Sequence, residues 1–369
     1  MFKVILVVKK LEFADGKCHQ IHVGKSKSRN ICPELRIHEN KMEKSDKEKY
    51  LGNIITKEGN NVADIEARKA KGHGIVSEIM AILNEVPLGK HYLDAGLCLR
   101  NAMLINGMLT NSEILYGLKN SQIEEIEEVD ELLLRNLLNA PSKTPKESLY
   151  LETGTMPIRF IIKSRRLSYY YHILSRHDNE LISRVYHAQK QKPIKDDWAV
   201  TIQKDKDALD IKLSDNEIKK MKKKKFKKIV KDRILEEAFA YLEEIKESHS
   251  KVKKVKYGKL KIQPYLKNET FSLNEKQLLF KLRTRMVEVK NNFKGKYNDL
   301  ICELCFQDED TQQHLLECDI LLFKCTELFN DDTVEYMDIF KSEVKQLRAT
   351  KLFNKVLLVK EEMLNISPS

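Results

Sequence analysis

Turn-forming residues are scarce in this chain, with 13 Gly and 8 Pro among 369 residues. Glycine and proline supply the backbone geometry of tight turns, so a sandwich or barrel of many short strands is disfavoured and long helices are favoured. A charged fraction of 33% beside 41% hydrophobic residues suits amphipathic helices and leaves enough apolar surface for cores. The expected fold class is mainly α, with a small N-terminal β element and a C-terminal metal-binding unit.

Residues 1–60 read as strands and turns, with candidate strands at 4–8, 18–23 and 50–56 and a turn at Glu58-Gly59-Asn60-Asn61. From 61 the spacing becomes helical, through Val62, Ile65, Val76, Ile79 and Leu83, with an interruption expected at Gly72-His73-Gly74. A second helix is expected over 91–109. A third runs from a Ser121-x-x-Glu124 capping box to Pro141. Thr144-Pro145-Lys146-Glu147 opens a fourth, which Gly154 ends, and Pro157 opens a segment carrying Tyr169, Tyr170 and Tyr171. The polar stretch around Trp198, the single tryptophan, reads as a linker. A Ser214-x-x-Glu217 capping box then opens a long helix to about 246. Residues 248–266 are lysine-rich, 274–291 read as another helix, and a last amphipathic helix ends near 364. The expected units are therefore 1–60, 61–190, a linker at 191–212, 213–295 and 296–369.

The cysteines carry the most specific chemistry. Seven is an odd number, and three of them fall in Cys302-x2-Cys305-x8-His314-x3-Cys318. A Cys-x2-Cys turn brings two thiolates to one metal, and His314 and Cys318, four apart, share a face if helical. Three thiolates and an imidazole make a closed tetrahedral Zn2+ site, structural and not catalytic, with Asp310 or Thr311 able to cap the segment that carries His314. A redox Cys-x2-Cys normally follows a strand of a βαβ unit, and no such pattern precedes this one. Cys325 is a spare thiol that competes with Cys318.

Net charge is +11, and a basic excess concentrates polyanions such as RNA, DNA or anionic lipid. Residues 219–233 hold ten positive side chains and one negative: Lys219, Lys220, Lys222, Lys223, Lys224, Lys225, Lys227, Lys228, Lys231 and Arg233 against Asp232. Ile218, Met221, Phe226, Ile229 and Ile234 keep an apolar stripe beneath them, so the segment reads as a helix with a basic face. The positive charge gathers in the first turns, where the macrodipole disfavours it, and a bound polyanion would offset that cost. A second lysine set follows, with Lys253, Lys254 and Lys256 as candidate phosphate contacts and Lys251, Lys259 and Lys261 beside them. A third candidate is Lys163, Arg165 and Arg166 next to the tyrosine run, where cations hold phosphates and aromatics stack bases; part of such a run on a helix must face the core.

The apolar run at 4–8 is too short for a secretion signal, and no stretch reaches transmembrane length, so no membrane partner is expected. Cysteine usage points to a reducing, intracellular compartment, in the nucleus and/or cytoplasm. No Walker A loop, nucleophile elbow or His-Glu-x-x-His helix is present.

Several stretches, in order, resemble the region downstream of the catalytic motifs in non-LTR (LINE-type) retrotransposon reverse transcriptases. They are residues 17–24 (KCHQIHVG), 49–56 (KYLGNIIT), 104–113 (LINGMLTNSE), 129–135 (VDELLLR), 145–154 (PKESLYLETG), 157–166 (PIRFIIKSRR) and the Cys-Cys-His-Cys pattern at 302–318. The resemblance implies a palm-end β remnant over 1–60, a helical thumb-like domain over 61–190 and a C-terminal Cys-Cys-His-Cys element that engages nucleic acid. Phe13-Ala14-Asp15-Gly16 is similar to the family's metal-binding turn, but Gly16 stands where a second aspartate is needed to hold two magnesium ions. No catalytic residue is assigned, so polymerase activity is not expected. Two functions remain open: a fragment that binds RNA and/or DNA phosphates through basic helices, and an inert or self-associating remnant, with association through an exposed strand edge.

Overall fold

A computed structural model of the chain describes residues 19–23, 34–37, 40–50, 52–324 and 334–366. The expected fold class holds: helices dominate, and among the described residues strands are confined to the N-terminal part. Strands β1 (His19–Gln20) and β4 (Glu43–Lys44) pair in parallel, whereas β2 (Arg36–Ile37) and β3 (Asn40–Lys41) pair antiparallel. Strands β5 (Lys47–Tyr50) and β6 (Asn53–Thr56) form a hairpin in the register Lys47 to Thr56. The stretch expected as one strand over 50–56 therefore divides at Gly52, whose φ of 92° only glycine adopts without strain. The candidate strand at 4–8 lies outside the described residues, as do Asp15 and Gly16.

Helix α1 (Val62–Glu85) runs without a break through Gly72-His73-Gly74. The glycine there marks close packing and not an interruption: a Cβ on Gly72 would lie 2.8 Å from Met108 Sδ and 2.9 Å from Val129 Cγ1. Helix α2 (Tyr92–Leu99) continues through a π-helical segment, Arg100–Ile105, into α3 (Asn106–Met108). Helix α4 (Asn120–Leu138) packs on α1, and its Ile126, Val129, Leu133 and Leu137 are fully buried at helical spacing. Its N-terminal bond is not the expected one. The Gln122 side-chain oxygen accepts from the Lys119 amide at 3.0 Å, and Ser121 lies inside the helix. Asn139, at φ 47°, ends α4 in the left-handed conformation ahead of Pro141.

Helix α5 (Lys146–Thr153) ends at Gly154, and α6 (Ile158–Leu174) starts after Pro157, both as the sequence suggests. Helices α7 (Leu181–Gln191) and α8 (Trp198–Ala208) follow. The segment expected as a linker is thus largely helical. Asp197 caps α8 by accepting from the Val200 amide at 2.8 Å, and Trp198 buries its ring with Tyr170, Tyr186 and Ile202 in a second apolar cluster. Polar composition misled because one face of α8 alone carries the apolar residues.

The capping box at Ser214 and Glu217 is present, but it opens only a short helix, α9 (Asp215–Lys220). Met221, at ψ 145°, breaks the backbone, and α10 (Lys223–Ser248) begins anew. Helix α11 (Pro264–Lys267) precedes α12 (Leu273–Arg283), which Ser272 and Glu275 cap and which stops at Thr284, short of the expected residue 291. Helix α13 (Asp319–Lys324) leads to α14 (Glu343–Ile366). A single apolar cluster joins Ile65 and Ile79 of α1, Leu133 of α4, Leu279 and Phe280 of α12, and Phe353 and Val356 of α14. A hydrogen-bonded centre ties four segments of this core together. Glu152 of α5 accepts from Tyr257 at 2.7 Å, from Tyr265 at 3.0 Å and from Arg283 at 2.9 Å.

Candidate metal centre and basic surface

Cys302 and Cys305 lie in a tight turn between the bridged residues Ile301 and Glu309. The Cys302 amide donates to the Asp308 carbonyl at 2.8 Å, and the Phe306 amide donates back to the Cys302 carbonyl at 3.0 Å. Phe306 closes the turn at φ 54° with 78% of its surface exposed, an unusual conformation for a bulky side chain. Thr311, one of the two expected caps, accepts from the His314 amide at 2.9 Å. Asp310, the other, takes a different role. Its carboxylate accepts from the Lys290 amide at 2.9 Å and from the Lys360 ammonium at 2.6 Å, anchoring the turn to α14. His314 and Cys318 stand on a 3-10 turn (His314–Leu316) and the residues following it, in place of an α-helix, yet the Cys318 amide still reaches the His314 carbonyl at 2.8 Å.

The four side chains converge. Their ligand atoms lie within 4.8 Å of one another, and Cys305 Sγ is 3.3 Å from His314 Nε2. Thiolates at ~2.3 Å from a shared tetrahedral ion stand ~3.8 Å apart, so the spread fits one ion with little adjustment. Cys302, His314 and Cys318 are buried, and Cys305 is partly exposed. Burial pushes the metal-free Cys318 thiol up to about 11. Burial also acts to raise Cys305, but the amides of Asp308 and Gln307, together with the neighbouring thiols, outweigh it and hold the thiol below its usual value. Cys325, the expected competitor, lies outside the described residues. The floor of the unit is not separate from the rest of the chain, because Leu315, Leu316 and Leu321 belong to the main apolar cluster.

The basic candidates divide into three groups. Arg166 is removed from any phosphate-binding surface: it is 6% exposed, pairs with Asp205 at 2.7 Å and donates to the Leu115 carbonyl at 2.8 Å. Arg165 likewise points inward, donating to the Leu109 carbonyl and to Asn106 Oδ1. Lys163 lies half-buried over the Phe160 ring at 5.3 Å. Tyr170 is in the core, so the tyrosine run is mainly structural.

Lys219, Lys220, Lys222, Lys223, Lys224, Lys225, Lys227 and Lys228 are all exposed, above the buried Ile218, Phe226 and Val230. Lys219 pairs with Asp178 at 3.1 Å. Among the described residues no ion pair engages the other seven. The break at Met221 places Lys222–Lys225 at the N-terminus of a 26-residue helix that has no acidic residue in its first turn and no side-chain cap. Lys253, Lys254 and Lys256 are exposed as well, Lys253 lying 3.8 Å from Glu247. They follow the other end of α10, which lies about 38 Å from Lys223 at 1.5 Å per residue. The exposed face between them carries Glu236, Glu244 and Glu247, so the two lysine sets are separate surfaces and not one continuous face.

No family model, curated protein or solved structure matches the chain. No helix among the described residues is long and apolar enough to cross a membrane.

Proposed function

We propose that this chain binds nucleic-acid phosphates through the lysines at the start of α10, beside a Zn2+-holding C-terminal unit, as the C-terminal segment of a non-LTR reverse transcriptase would. The observation that carries this reading is the placement of Lys222–Lys225 on an uncapped helix N-terminus. Free amides and the positive end of the macrodipole meet four ammonium groups there, an arrangement that repels itself and that a phosphate backbone relieves. Zinc is the metal of choice, because three thiolates and an imidazole form a soft, closed set with no open position for catalysis. Nuclear and/or cytoplasmic work suits reduced thiolates and a polynucleotide partner.

Fluorescence anisotropy of the zinc-loaded chain with single-stranded RNA, structured RNA and duplex DNA over a salt series tests the reading. Each lysine that neutralises a phosphate contributes about 0.7 to 0.9 to the slope of log affinity against log salt. Replacing Lys222–Lys225 by Gln should lower that slope by about 2.8 to 3.6. A parent chain that ignores all three polymers at low salt would leave the alternative, an inert or self-associating remnant.

A further inference from the structure

The second residue after α12, Arg285, is unusual. Met286 donates to the Lys281 carbonyl at 2.8 Å, the six-residue closure of a Schellman motif, and Arg285 fills the left-handed position at φ 54°. Glycine is the favoured residue there, because a Cβ crowds the following carbonyl. The Arg285 guanidinium meets the Tyr336 hydroxyl, which places it on the wall of a cavity. Arg285 lines this cavity, of about 180 Å³, with Asn291, Asn292, Gln312, Gln313 and Tyr336, and among the described residues no carboxylate lines it. Lys251 stands beside it, its ammonium donating to the Asn292 carbonyl. Glu309 and Glu317 accept from the Asn291 and Gln313 amides at 2.5 and 2.8 Å, but both are exposed and lie outside the lining of the cavity.

We propose that Arg285 and Lys251 form a phosphate-binding site on the cavity beside the metal turn, separate from α10, that takes the phosphate of a nucleic-acid strand or of a free nucleotide. Arg285 presents a planar fork suited to phosphate, and Lys251 adds a point charge. Burial first, then the neighbouring charges of Lys143 and Arg285, hold the Lys251 ammonium below its usual range. The amides along the wall supply hydrogen bonds to a sugar or base beyond the phosphate. Thr311, which also lines the cavity, caps the His314 amide, so the cavity's shape depends on the metal turn. The strand form of this proposal rests on the nucleic-acid reading above; the free-nucleotide form does not.

The test uses the full, zinc-loaded chain and two replacements, Arg285→Gly and Lys251→Gln. Glycine suits the backbone at 285, so Arg285→Gly should keep or raise the melting temperature while removing the cation. Calorimetric titration with inorganic phosphate and with adenosine monophosphate reads the free-ligand arm, and the RNA salt series reads the strand arm. We expect each variant to weaken phosphate binding about tenfold or more, the loss of a charge-assisted bond. Alternatively, each should remove about one contact's worth of RNA salt slope, additively with the Lys222–Lys225 replacement. An effect in the first arm alone assigns a free nucleotide, and one in the second assigns a strand. Zinc chelation should abolish the Arg285-dependent part of either signal. Arg285→Gly titrating like the parent in both arms overturns the site, whatever the α10 lysines do. A slope untouched by the Lys222–Lys225 change but reduced by Arg285→Gly would sink the α10 reading and leave this one standing.

Discussion

Arg100 and Asp130 meet in a two-pronged ion pair, both bonds 2.6 Å long, with 2% and 0% of their side chains exposed. Arg100 sits in the π-helical segment after α2 and Asp130 in α4, so the pair fixes the angle between those elements. Arg100 also donates to the Met156 carbonyl at 3.0 Å, bringing the start of α6 into the same junction. Asp130→Ala should destabilise the fold by about 3–5 kcal/mol, because it strands a buried cation. Urea titration checks this. A double replacement by apolar residues of similar volume should recover much of the loss, and a single-mutant cost near zero would show the pair to be dispensable.

Glu131, one residue on, gives the stability a pH dependence. Burial pushes its carboxyl up to about 7, against smaller downward pulls from Lys146 and Arg135. A folded value above the unfolded one means that the unfolded chain releases this proton first. This group's contribution is therefore fully present below about pH 4.5, falls as pH rises, and is lost by about pH 7. Thermal melts of the parent and of Glu131→Gln should diverge across that window, with the glutamine variant the more stable near neutrality. Parallel curves from pH 4.5 to 7 would rule out the titration.

The lysines at the start of α10 should trade stability for binding. Replacing Lys222–Lys225 by Gln removes four cations from the positive end of the helix dipole, where each costs roughly 0.3–1 kcal/mol. The variant should melt higher than the parent in low salt without nucleic acid, by about 1 kcal/mol or more. A lower melting temperature would show that these lysines hold the fold through contacts on other elements.

Gly154 admits no side chain. A Cβ there would lie 2.0 Å from the Ile262 amide nitrogen and 2.3 Å from the Lys261 carbonyl carbon, and φ is 64°. Gly154→Ala should cost well over 1 kcal/mol, since strained backbone and direct collision add. Equilibrium unfolding near that of the parent would mean that residues 261–262 move aside without penalty.

Chelation should act locally before it acts globally. The metal turn shares Leu315 and Leu321 with the main core, so stripping the ion should loosen the 300–318 region while α1 and α4 stay folded. Hydrogen exchange should report fast amides at Cys302, Phe306 and Cys318 and protected amides at Val129 and Leu133. Uniform loss of protection would show that the ion supports the entire chain.

Much of the helical skeleton was legible because its signals are local. The stripe of Ile126, Val129, Leu133 and Leu137 is set by the helical period, and Pro157, Gly154 and the Ser214 box punctuate within a few residues. The four candidate metal ligands were legible for the same reason, since all four fall within seventeen residues at a spacing that can meet at one point. Features decided by distant partners were not. Trp198 reads as a lone aromatic in a polar stretch until Tyr170 and Tyr186 of other helices surround it. Arg166 reads as a surface cation until Asp205 pairs with it, 39 residues along the chain. The break at Met221 has no proline or glycine to announce it, and Arg285 gives no sign of its left-handed backbone because glycine is the residue expected there.

Helix α14 closes the same apolar cluster that α1 begins, and this governs what a truncation would leave behind. A premature stop just after Cys318 would spare all four metal ligands yet delete Phe353 and Val356, leaving Leu279 and Phe280 facing water. Shortened alleles should therefore yield substrates for proteolysis, not smaller working proteins.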